Sequence, residues 1–108
     1  CIGLVYPSCA EGGGASAITC MHAGIIPIVT LETSVDTPGF GVGLQTASVE
    51  EIRDTVREVS ALGADELQRR SRAAWEYARE HHTREGFARA YRRFVDEVVL
   101  PAVKARRA

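Results

Sequence analysis

Cysteine is scarce in this chain of 108 residues, and what there is has the wrong spacing for chemistry: Cys1, Cys9 and Cys20 are odd in number and form no CxxC pair. That argues against a disulfide framework and a thiolate metal site, so reduced cytosolic thiols are the expected state. His22 follows Cys20 and Met21, but the spacing fits no ligand set, and no metal is expected. Residues 1–48 have no Lys or Arg at all, only the acids Glu11, Glu32 and Asp36, while all 13 basic residues lie in 49–108. There they are interleaved with acids along helices. A one-signed stripe is missing, which argues against a nucleic-acid partner. No apolar run reaches the length of a transmembrane segment, and the N-terminus lacks the charged start and cleavage site of a secretory signal. Cytoplasmic location follows as the expectation. The tail Lys104-Ala105-Arg106-Arg107 gives at most a weak, peripheral attraction to an anionic membrane surface.

What is present is ordinary globular composition, 45% hydrophobic and 25% charged, enough for one domain or part of one. The chain begins directly in an apolar run, Ile2 to Tyr6, without an initiator methionine. It therefore reads as a piece of a larger domain. A small-residue helix from Ala15 to Ala23 follows, with Gly24 at its C′ position. Ile25 to Leu31 shows no polar alternation, as in a parallel strand covered on both faces, and Pro27 is expected at that strand's first residue. Thr33 to Gly41 is loop, and Gly41 to Leu44 a short third strand.

The second half reads as helices. Ser48-Val49-Glu50-Glu51 has the form of a capping box, with Val49, Ile52, Val56 and Val59 on one face and Gly63 as the stop. Asp65 is the expected cap of a helix to about His81, with Leu67, Ala74, Tyr77 and Ala78 inward. His81 and His82 end it, where partly protonated imidazoles suit the negative dipole end. Trp75 lies off that stripe. Thr83 caps a last helix whose Phe87, Ala90, Tyr91, Phe94 and Val98 form an apolar stripe expected in the core, until Pro101 stops or kinks it. The fold class predicted is α/β, a partial doubly wound parallel sheet of about three strands with C-terminal helices.

The turn after the first strand carries the chemistry. Tyr6-Pro7-Ser8-Cys9-Ala10-Glu11 leads into Gly12-Gly13-Gly14 and then the helix start. Glycines let backbone amides approach a ligand, and a helix N-terminus favours phosphate or pyrophosphate. Glu11 beside it is suited to accept hydrogen bonds from ligand hydroxyls. Two plainer readings stand next to these: Glu11 as a first-turn acid serving the helix dipole, and the glycines as a flexible turn. Gly12, Gly14 and Ala17 also satisfy the GxGxxG/A dinucleotide pattern, with Glu32 twenty residues past Gly12 as a ribose ligand. Position weighs against it, because Pro7 to Glu11 intervene between strand and glycines.

Taken in order, Tyr6-Pro7-Ser8-x-x-Glu11-Gly12-x-Gly14, the small-residue helix, Ala23-Gly24, the strand led by Pro27 and the Val49-Glu50-Glu51-Ile52 helix resemble the C-terminal nucleotide-sugar domain of GT-B glycosyltransferases. The similarity is to the retaining group 1, family 4-like set, and it covers nearly the whole chain. The resemblance implies that residues 1–108 are the C-terminal part of a donor-binding domain. Its partners would be a nucleotide-diphosphate sugar, which is the donor substrate and not a cofactor, and an N-terminal acceptor domain that lies upstream with the basic pair for the diphosphate. It further implies that Glu11 contacts the transferred sugar and that Gly12, Gly13, Gly14 and Ala15 hold the donor phosphates. The family's second acid, which grips the ribose, falls at Thr19. A Thr hydroxyl makes a weaker contact than a carboxylate, so Thr19 stands either as a ribose contact or as a plain helix residue. An enzyme and a non-catalytic nucleotide-binding module both remain open. A strand edge left bare by missing partners predicts a homo-oligomer.

Overall fold

The computed structural model describes residues 1–107. The chain is α/β, with a three-stranded parallel sheet in the order β1-β2-β3: β1 is Gly3–Tyr6, β2 Ile26–Thr30 and β3 Val42–Leu44. Helix α1 spans Ala15–His22, α2 Val49–Ser60, α3 Ala64–His81, α4 Arg84–Phe94 and α5 Leu100–Arg107; a wide π-turn, Val95–Val99, joins the last two into one continuous rod. All five residues of β2 are buried. That is what an apolar run without alternation demands of a central parallel strand.

Strand alternation divides the core. Leu4, Tyr6 and Val29 point to one face, where they meet Ala17 and Met21 of α1, Ala74 and Ala78 of α3, and Phe40. Ile28, Val42 and Leu44 point to the other, covered by Ile52 and Val59 of α2 with Leu67. Helices on both faces make the sheet doubly wound, as the sequence predicts. The second face is covered only in part. Beside β1 it leaves an apolar groove of about 250 Å³ lined by Ile2, Val5, Ile28, Val56 and Leu67.

The end of α1 closes as its glycine requires. Gly24 has φ +73°, its amide donates to the Met21 carbonyl at 2.9 Å and that of Ile25 to Cys20 at 3.0 Å. This is the paired-bond C-terminal motif with glycine in the left-handed region. Pro27 is the second residue of β2 and not the first. The Ile26 amide donates to the carbonyl of Ile2, just before β1, so by alternation the nitrogen of Pro27 faces β3, whose ladder begins only at Val42 opposite Ile28. The missing donor costs nothing there. Gly41 fills the gap so closely that a Cβ on it would lie 2.5 Å from the Pro27 carbonyl oxygen and 2.8 Å from Thr37 Cβ.

The helical half departs from expectation in several places. Val49 is solvent-exposed, and the inward face of α2 is Ile52, Thr55 and Val59. α2 ends at Ser60 with Ala61 as its cap, so Gly63 is the start of α3, its N-cap residue; Asp65 sits in the first turn instead of capping. Leu67, Ala74, Tyr77 and Ala78 do face inward, and Thr83 caps α4 by accepting the Gly86 amide at 3.0 Å. Trp75 is exposed, with the Arg79 guanidinium 4.7 Å above its ring. His82 caps α3 through its backbone, while burial holds its imidazole below the ordinary value, followed by the effect of neighbouring His81 and His22. The shift disfavours the charged form that the helix dipole would stabilise. Phe87, Tyr91, Phe94 and Val98 lie on the surface, not in the core. Pro101 neither stops nor breaks the rod: the widened turn before it, in which the Leu100 amide reaches back to the Val95 carbonyl, absorbs the missing donor and the ring.

Gly41→Ala should lower unfolding stability by about 1–3 kcal/mol, the scale of forced overpacking. Gly12→Ala, with nothing within 4 Å of the added carbon, should leave the urea midpoint nearly unchanged. Equal midpoints for both variants would show that the Pro27–Gly41 contact is not rigid.

Candidate functional site

All three strands end on the same side, and the loops leaving them meet there. Pro7 to Gly14 leaves β1, Leu31–Thr33 leaves β2 as a single 3₁₀ turn, and 45–48 leaves β3. The carboxyl edge of a parallel sheet is where ligands bind in open α/β folds. Between the loops lies a small cleft of about 110 Å³ lined by Ser8, Cys9, Thr30, Glu32 and residues 45–47.

The first loop is pinned at two points. The Thr30 hydroxyl, at the end of β2, donates to the Ser8 carbonyl. Gly14 is buried with φ +62°, and a Cβ on it would lie 2.4 Å from Val35 Cγ2. Gly14 is therefore demanded by the fold itself. Gly12 and Gly13 are not: both are exposed, neither has a positive φ, and a Cβ on either would meet nothing within 4 Å.

Glu11 is exposed and held. The Tyr6 hydroxyl and the Ser8 hydroxyl, the latter at 2.9 Å, both donate to Oε1. Donation by Tyr6 first, then by Ser8, holds the Glu11 carboxyl below the usual carboxylate range, and the same contact pushes the Tyr6 phenol up. Glu11 precedes the N-cap Gly14 by three residues, and α1 has no acid in its first turn. The helix-dipole reading of Glu11 is thereby corrected. Neither Tyr6 nor Ser8 was given a role by sequence reasoning, although their offsets of five and three residues from Glu11 are the signal that places them around it.

Helix α1 begins at Ala15 with no side-chain cap. α2 and α4, by contrast, are capped by Ser48 and Thr83 and carry acids in their first turns. Thr19, one turn into α1, is exposed, and its hydroxyl donates to the Ala15 carbonyl at 2.9 Å. Its donor is thus spent on its own helix, leaving only lone pairs for a ligand.

The loop after β3 holds an anion of its own. Ser48 Oγ accepts the Glu51 amide at 3.1 Å, half of the expected capping box. The Glu51 carboxylate does not return to Ser48. It accepts the amides of Gln45, Thr46 and Ala47 at 2.8–3.0 Å, with Ala47 at φ +53°. These donors, Gln45 first, hold the Glu51 carboxyl below its usual range.

Cys1 and Cys9 are exposed and Cys20 half-buried, and among the described residues no three His, Cys, Asp or Glu side chains converge as a metal site would require. Nor is any described helix long and apolar enough to cross a membrane. The chain matches no protein-family model, no curated protein and no solved structure.

Tyr6→Phe should raise the Glu11 pKa towards the ordinary carboxylate value, because the lost donor favoured the charged form. Side-chain ¹³C titration by NMR measures it. An unchanged midpoint would mean that Tyr6 does not bond Glu11 in solution.

Proposed function

We propose that residues 1–108 belong to the donor-binding domain of a glycosyltransferase, of the retaining hexosyl type, that works in the cytoplasm with a nucleotide-diphosphate sugar. The start of α1, with Gly12, Gly13, Gly14 and Ala15, takes the donor phosphates. Glu11 accepts hydrogen bonds from hydroxyls of the sugar. Charge on the departing diphosphate is stabilised by the uncapped helix start and by a basic pair supplied by upstream sequence, so no protein nucleophile is needed on this chain. Thr19 contributes at most one accepted bond from the ribose.

One observation carries the reading: two adjacent exposed glycines, required neither by backbone conformation nor by packing, lead into an uncapped helix start at the carboxyl edge of a parallel sheet. Side chains absent without internal reason leave room for something to come close. The fixed carboxylate of Glu11 supports the sugar contact, since two donors on Oε1 orient the group towards solvent before any ligand arrives. Position weighs against the dinucleotide alternative: β1 ends at Tyr6, so five residues still separate it from Gly12, while the burial of Ala17 suits either reading.

Uridine or guanosine diphosphate, titrated to millimolar concentration, should shift the amide resonances of Gly12 to Ser16. Gly13→Val, at a position with open space around it, should remove the shifts and leave the melting temperature nearly unchanged. Shifts confined to other residues, or none at all, would overturn the phosphate site. In a longer protein carrying this segment, Glu11→Gln should lower turnover about 10²-fold, the scale of one lost transition-state contact, with little thermal effect. Destabilisation in proportion to lost activity would assign Glu11 to structure instead.

A further inference from the structure

The rod from Arg84 to Arg107 extends about 36 Å at the rise of an α-helix, and none of its residues is buried. It lengthens the molecule to 61 Å against 27 Å and 19 Å in the other directions. Its direction is therefore set where it starts, at His82 and Thr83 between α3 and α4. Thr83 belongs to the rod: its hydroxyl accepts the Gly86 amide at 3.0 Å and its carbonyl the Phe87 amide at 2.9 Å. His82 belongs to the body. Its amide donates to the Ala78 carbonyl at 2.8 Å, and its own carbonyl accepts from Nε2 of His22, the last residue of α1, at 2.9 Å. Body and rod thus meet at the backbone of His82, which α1 and α3 hold between them.

The side chain of this residue is poorly placed to take up a proton. His82 Nε2 is inaccessible to solvent and has no hydrogen-bond partner. An uncharged imidazole tolerates that by carrying its hydrogen on Nδ1, which leaves only a lone pair inside. An imidazolium carries hydrogen on both nitrogens, so the inner one becomes a buried, charged donor with no acceptor. Proton uptake therefore requires the ring to leave its seat.

The groups around the ring work the same way. From α1 it faces His22, and from α3 it faces His81 and, with centroids 5.9 Å apart, Tyr77. His81 has Glu80 beside it at 3.8 Å. From the loop before β3 comes Asp36, the one group whose charge favours the cation, and the Tyr77 hydroxyl already reaches that carboxylate at 3.5 Å. No charged group of α4 acts on His82 among the described residues. His22 has two opposed effects: its Nε2 holds the His82 carbonyl, while its own positive form repels a charged His82 ring. In acid the second effect works against the first.

We propose that His82 is an acid-sensitive latch between the sheet-bearing body and the rod. With the ring seated, the rod is held at one angle. On protonation the ring leaves, the bond from His22 to the His82 carbonyl opens, and the rod swings about Thr83. This assignment is independent of the glycosyltransferase reading. Its direction with pH follows from linkage. Burial first, then His81 and His22, hold the seated ring below the ordinary value. The open form takes its proton near the ordinary value of about 6.5, the seated form only at lower pH. Closure is therefore complete above about pH 6.5. It weakens as pH falls, by at most about tenfold per unit for one proton, until the seated ring titrates as well.

Backbone residual dipolar couplings of the whole chain test this. At pH 7.5 those of α1, α3 and α4 should fit one common alignment. At pH 5 α4 should require its own, weaker alignment, and hydrogen-exchange protection of the His82 amide should be lower by about tenfold. Both changes should follow the ring titration of His82, and not that of His22 or His81, as read from the carbon-bound imidazole protons. His82→Phe keeps a ring in the seat that takes no proton, and should show one alignment and constant protection at both pH values. A common alignment at pH 5 in the wild type would overturn the proposal, as would an acid response that persists in His82→Phe. So would a His82 ring that titrates while its amide keeps its protection, because the ring then turns out without opening the joint.

Discussion

A single bond between a strand end and a loop organises the functional edge of this molecule. The Thr30 hydroxyl reaches the Ser8 carbonyl and so ties the central strand, the most buried segment of the chain, to the loop that presents Glu11 and the glycines. Thr30 is itself nearly inaccessible, and a buried hydroxyl needs a partner. The need is met by holding the loop. Ser8 then passes the constraint on, because its side chain bonds Glu11 while its carbonyl is held from β2. Rigidity in the sheet thereby becomes orientation of a carboxylate on the surface.

The same edge is electrostatically divided. After β1 stands an uncapped helix start with glycines before it. After β3, three consecutive amides converge on the carboxylate of Glu51, an anion supplied by the chain itself. Of two backbone cradles at one sheet edge, one is filled internally. Away from the edge, Glu66 shows what exposed pairing does: Arg69 and then Arg70 hold it at about 2. That contact orders the first turns of α3, and Arg69 also donates to the Gly39 carbonyl at 3.1 Å.

Much of the fold was legible because burial leaves a periodic trace. The run of Ile25 to Leu31, without polar alternation, marked a strand covered on both faces, which holds for Ile26 to Thr30 while Leu31 turns out exposed in the 3₁₀ turn after it, and Gly24 marked the end of α1 through its need for a positive φ. The loop glycines were legible as a group but not as individuals. Only packing against Val35 and Thr33 separates Gly14, which the fold requires, from Gly12 and Gly13, which it does not. The stripe of Phe87, Tyr91 and Phe94 was read correctly as one face of a helix and wrongly as core. Periodicity reports which residues share a face, while what covers that face is a tertiary fact. Glu51 failed for a related reason: the Ser-x-x-Glu spacing fits a reciprocal cap, but three amides in the preceding loop outbid the single amide of Ser48.

The widened turn before Pro101 has a geometric effect beyond tolerating a proline. One extra residue within a turn retards the angular phase of everything after it by about 100°, the rotation of a single α-helical residue. Side chains after Val99 are therefore turned by that rotation from where their sequence spacing to Phe87, Tyr91 and Phe94 would put them. Spacing alone misplaces Leu100 to Arg107 around the rod, and the bearing of its cationic end is set by Val95–Val99.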